Sequence, residues 1–168
     1  MSSQSTQNKT RQLASCALLT SLALIFSYVE FLVPLSFALP GIKLGLANIV
    51  IVIALYSINA GYALFINAAR VLLSALLFGN MFSALYSLAG CLLSFAVMWL
   101  LKKTGLFSIC GVSMAGGVFH NMGQLAVAAA AMQSSAVIYY YPVLLLAGMA
   151  TGIGIGIIAT LVLRVLPK

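Results

Sequence analysis

Aspartate is absent from this chain, and a single residue of its 168, Glu30, is acidic. The deficit extends to charge of both signs. Charged residues make up 5% of the chain, against about 25% in an ordinary soluble domain, and so uncharged a surface cannot be kept in water. Its solvent is lipid. One carboxylate excludes acid/base work by paired carboxylates within the chain, and excludes an acidic cluster able to hold magnesium against a diphosphate. No GxxxxGK[ST] run occurs, which excludes ATP hydrolysis by a P-loop. One histidine and three widely spaced cysteines, Cys16, Cys91 and Cys110, supply neither a disulfide framework nor a metal-ligand set. No metal and no cofactor is expected, and the cysteines suit small buried hydrophobes.

What is abundant is apolar residue, 64% of the chain, with a mean hydropathy of +1.19. At roughly 20 residues per spanning helix there is room for about six spans and no soluble domain. The sequence predicts a polar cytoplasmic tail over residues 1–12 and one transmembrane domain over 13–168. Its spans run from about Leu13 to Val33, Ile42 to Ile58, Tyr62 to Phe78, Met81 to Leu101, Gly111 to Met132 and Tyr139 to Leu163. Pro34, Pro40 and Gly41 break the first connection; Asn59-Ala60-Gly61 and Gly79-Asn80 make tight turns. The first span is long and lacks a small-residue cleavage site, so it reads as uncleaved.

The net charge of +7 has no basic stripe or aromatic platform behind it, which argues against a nucleic-acid partner. It is topological. With the N-terminus inside, Lys9, Arg11, Lys102, Lys103, Arg164 and Lys168 all fall on the inner side, leaving Lys43 outside. Both termini are therefore expected in the cytoplasm of a multi-pass cell-membrane protein.

In the last span Gly148, Gly152 and Gly156 recur every four residues, a ridge along which two helix backbones can meet closely in lipid. Ala17 and Ser21 form a looser version on the first span. Such ridges serve either packing within the bundle or docking of a membrane partner. The triplet Gly152-x-Gly154-x-Gly156 lacks the strand and acidic residue of a dinucleotide fold.

Polar side chains within spans are expensive and mark function. The set comprises Glu30, Lys43, Asn48, Asn67, Arg70, Asn80, His120, Asn121 and Gln124. Most fall in the outer half of the six-span map, and His120 and Gln124 share one helix face, so the set could line an outward-opening pocket. Structural roles compete: Arg70 could pair with Glu30, Asn48 and Asn121 could bridge helices, and Lys43 could extend to the interface.

Three runs carry a resemblance: Pro40-Gly41-Ile42-Lys43-Leu44-Gly45-Leu46-Ala47-Asn48 preceded by Tyr28-Val29-Glu30, then Arg70-Val71-Leu72-Leu73, then Ser113 through Gln124. Together they resemble the bacterial heptaprenyl diphosphate synthase component I family, also called the Gx transporter family, over essentially the whole chain after the first dozen residues. Kinship with the S components of energy-coupling-factor transporters would imply a six-helix bundle that captures a vitamin-like solute. Such a bundle depends on a separate transmembrane protein and two ATPases. S components contact that module through small residues on helix one, which Ala17 and Ser21 match approximately. The other family name implies a component assisting isoprenoid diphosphate synthesis; without aspartate-rich motifs it would not be the catalytic part. The expectation is a non-enzymatic capture subunit for an anionic or zwitterionic solute, attracted by Lys43 and Arg70 beneath a lid over Pro34–Pro40. The alternative is a non-catalytic accessory component of isoprenoid or quinone synthesis, or of a membrane redox complex.

Overall fold

The computed structural model describes residues 2–32, 45–133 and 139–166. Lys43 and the expected lid over Pro34–Pro40 lie outside them. Every element described is helical: α1 (Ser2–Leu32), α2 (Leu46–Ser57), α3 (Ala60–Leu77), α4 (Met81–Thr104), α5 (Ile109–Met132) and α6 (Tyr141–Val165). The helix of α1 continues back through the polar segment assigned to a tail, so Lys9 and Arg11 stand on it rather than before it.

Local chemistry explains where the helices begin and end. Asn59, Asn80 and Ser108 each occupy an N-cap with extended backbone. Their side-chain oxygens accept from the amides of Tyr62, Ser83 and Gly111, satisfying donors that a helix start leaves unpaired. The turns expected at Asn59 and Gly79-Asn80 are thus helix starts. Gly105 ends α4 at φ +67°, a conformation open to glycine at no steric cost.

Among the described residues, four helices are long and apolar enough to cross a membrane: α1 from Lys9, α3, α4 and α6. The expected second and fifth spans differ. At 12 residues α2 is about 18 Å long, short of a hydrocarbon core of about 30 Å. Its residues Ile49 to Leu55 are all buried, as suits a helix apolar all round, and α1, α3 and α6 pack against it. In α5, glycine, serine, His120, Asn121 and Gln124 dilute the apolar character, and it is not among the four.

The helices alternate in direction. At one end, α1 meets the start of α2 through Glu30, and Tyr28 and Phe31 pack on Phe78 at the end of α3. Asn121 of α5 reaches Leu144 near the start of α6 at the same end. At the other end, Lys102 Nζ of α4 donates to the carbonyl of Leu55, near the end of α2, and lies over the Tyr56 ring. There too, Gly156 of α6 abuts Cys110 of α5.

Candidate functional site

Arg70 organises the polar residues. It stands in mid-α3, 8% exposed, one helical turn beyond Asn67 on the same face. Its Nη2 donates to Asn48 Oδ1 of α2 at 3.1 Å, to Asn67 Oδ1 at 3.2 Å and to Cys91 Sγ of α4 at 3.0 Å. Nε donates to Asn67 Oδ1 at 3.3 Å. Asn67 closes the group by donating from Nδ2 to the Cys91 carbonyl at 3.4 Å. One guanidinium therefore ties three helices together. These acceptors are two amide oxygens and a cysteine sulfur, with no carboxylate among them.

The ion pair considered between Arg70 and Glu30 does not form among the described residues. Glu30 Oε1 instead accepts from the Leu46 amide at 2.9 Å. It serves there as the cap that Gly45, with no side-chain oxygen, cannot provide. A carboxylate at this helix start also complements the α2 dipole.

Further round the bundle, Gly90 precedes Cys91 on α4 and faces α5. A Cβ at Gly90 would stand 2.8 Å from Gln124 Cγ and from the His120 carbonyl, and 3.1 Å from His120 Cε1. His120 and Gln124 are thus set against the helix whose next residue holds Arg70. Gln124 is 1% exposed, and its Nε2 finds no acceptor among the described residues.

The other candidates have local duties. Asn121 Nδ2 donates to the Leu144 carbonyl at 2.7 Å, bridging α5 and α6. Asn80 is exposed and caps α4. On α6, a Cβ at Gly148, Gly152 or Gly156 would come within 2.6–2.8 Å of backbone atoms of Gly117, Met114 or Cys110 on α5, so the glycine ridge faces α5. Ala17 and Ser21 are exposed on α1, where Ser21 Oγ bonds back to the Ala17 carbonyl.

The sequence suits Cys91 to a small buried hydrophobe; in the fold it is buried and its sulfur also accepts from Arg70. Nothing in its neighbourhood along the chain signals this, because the contact spans 21 residues and two helices. A cavity of about 360 Å³ opens between the starts of α1 and α3, lined by Leu13, Cys16, Asn59, Gly61, Tyr62 and Phe65. It contains none of the polar candidates and lies toward the end away from Glu30. Among the described residues, no cluster of three or more histidine, cysteine or acidic side chains is placed to hold a metal.

Bilayer-length apolar helices around a largely buried and apolar helix, stitched by the mid-helix Arg70, are the architecture of a multi-pass membrane protein. No curated protein and no solved structure matches the chain. A family model does, over residues 19–162: the chain belongs to the heptaprenyl diphosphate synthase component I family.

Proposed function

We propose that this protein is a membrane-embedded accessory component of heptaprenyl diphosphate synthesis, acting beside a separate catalytic synthase. The family match over residues 19–162 is the observation that carries this reading. Chemistry agrees with the division of labour. Elongating an isoprenoid requires magnesium held by carboxylates against a diphosphate, and a chain without aspartate cannot supply them. A growing prenyl chain is an apolar tail with an anionic head, and a helical bundle in lipid can retain the tail where a soluble enzyme would have to shield it from water.

In this reading all six helices lie at membrane depth, with α2 enclosed by protein and both termini in the cytoplasm. Lys9, Arg11, Lys102, Lys103 and Arg164 gather at the end where α2 finishes, which supports that orientation in a bacterial cell membrane. Glu30, Asn48, Arg70 and Gln124 fall in the opposite half, with Asn67 and His120 near mid-helix.

The test is reconstitution. Purified with the soluble synthase and placed in vesicles, the chain should co-purify with it and raise heptaprenyl diphosphate output several-fold over synthase alone. No association and no change in output would refute the proposal. A second reading, an S-component-like subunit that captures a small solute for a separate energy-coupling protein and its ATPases, is motivated by the Arg70 group, which a passive scaffold does not need. Its signature would be co-purification with that module and uptake of solute in whole cells.

A further inference from the structure

Removing an unneutralised guanidinium from water costs several kcal/mol, and a hydrophobic residue of similar size commonly serves packing as well or better. Arg70, 8% exposed, has amide and sulfur acceptors and no carboxylate partner among the described residues, with Glu30 engaged on Leu46 instead. If its duty were only to join α2, α3 and α4, an uncharged side chain would do it without that penalty. Its bonds are also concentrated on two of its three nitrogens. Nε and Nη2 make the bonds to Asn48, Asn67 and Cys91, and the Nη1 edge of the fork stands outside that set. A second guanidinium edge is suited to a phosphoryl group, whose oxygens accept in the same plane and bring a negative charge.

Two neighbours extend this set. Asn48 is half-buried on the first turn of α2, so the group reaches the protein surface on that side. Across α4, Gln124 holds an amide donor without an acceptor among the described residues, in a position 1% exposed.

We propose that Arg70, with Asn48 and Asn67 orienting it, binds the phosphoryl head of an amphiphile whose tail lies along the bundle. This rests on the accessory-component reading for the choice of an isoprenoid diphosphate as the principal ligand; a bilayer phospholipid carries the same head chemistry. The full chain in detergent is assayed by thermal shift and calorimetry with three probes: inorganic diphosphate, a long-chain prenyl diphosphate and phosphatidylglycerol. Prenyl diphosphate should bind at least about tenfold more tightly to wild type than to Arg70→Met, whose apolar side chain keeps the volume and removes the charge. Arg70→Lys, which keeps the charge and loses the fork, should bind with intermediate affinity. Phosphatidylglycerol binding in preference to prenyl diphosphate, and lost in Arg70→Met, would identify bilayer lipid as the source and still support the phosphoryl site. Equal binding by wild type and a folded Arg70→Met, or no binding of any probe by wild type, overturns the proposal. Should Arg70→Met fail to fold, Asn48→Leu provides the same comparison, with several-fold weaker binding expected and undiminished affinity counting against the site. Association with the synthase is scored separately and should survive Arg70→Met, so the two proposals can fail independently.

Discussion

At the scale of single residues, Arg70 decides what its neighbours do. Asn67 accepts from two of its nitrogens and passes the connection to the Cys91 backbone. Removing that amide leaves buried donors without acceptors, a loss of about 1–3 kcal/mol. Asn67→Ala should therefore lower the melting temperature in detergent more than Asn48→Ala, because Asn48 is half-buried and accepts one bond from Arg70. Equal destabilisation by the two would show that Asn67 is not the principal support. In the sequence, the rarity of polar side chains within spans marks Arg70, Glu30 and the four asparagines as informative. Their partners are not legible there, because opposite charge pairs Arg70 with Glu30, whereas the fold gives Glu30 to an uncapped helix start and Cys91 to Arg70.

At the scale of elements, α5 and α6 are held by backbone proximity. The ridge glycines let the two helices approach so closely that a single added methyl at Gly152 would fall 2.7 Å from Met114 Cα and from the Ser113 carbonyl oxygen. Gly154, two residues on, has open space where a Cβ would go. Gly152→Ala should destabilise by about 1–3 kcal/mol through forced separation of the helices. Gly154→Ala should be neutral or stabilising by up to about 1 kcal/mol from improved helix propensity. Denaturant unfolding in mixed micelles distinguishes them, and matched effects would contradict the assigned face. The four-residue spacing made this ridge visible in the sequence; its partner helix was not, since any helix with small residues could have faced it.

At the scale of the whole molecule, the alternation of helix directions places the Glu30 end of the bundle opposite the Lys102 end, and the distribution of cations proposes which faces the cytoplasm. Met81 and Leu106, 79% and 83% exposed, stand near opposite ends. In intact cells a membrane-impermeant maleimide should label Met81→Cys and spare Leu106→Cys, with labelling of both restored on lysis; the inverse pattern would reverse the topology.

Composition alone settled the solvent, the helical class and the absence of a carboxylate site for magnesium, because those follow from which groups exist, whatever their positions. It could not settle how many helices meet lipid: α2 has the same apolar content as a span, and only its enclosure by α1, α3 and α6 reveals a short internal helix. Nor could it bring Asn48, Asn67, Arg70 and Cys91 together from three separate helices. Hydrophobic burial depends on composition and period, whereas a polar cluster depends on the rotation and depth of each helix, which packing alone decides.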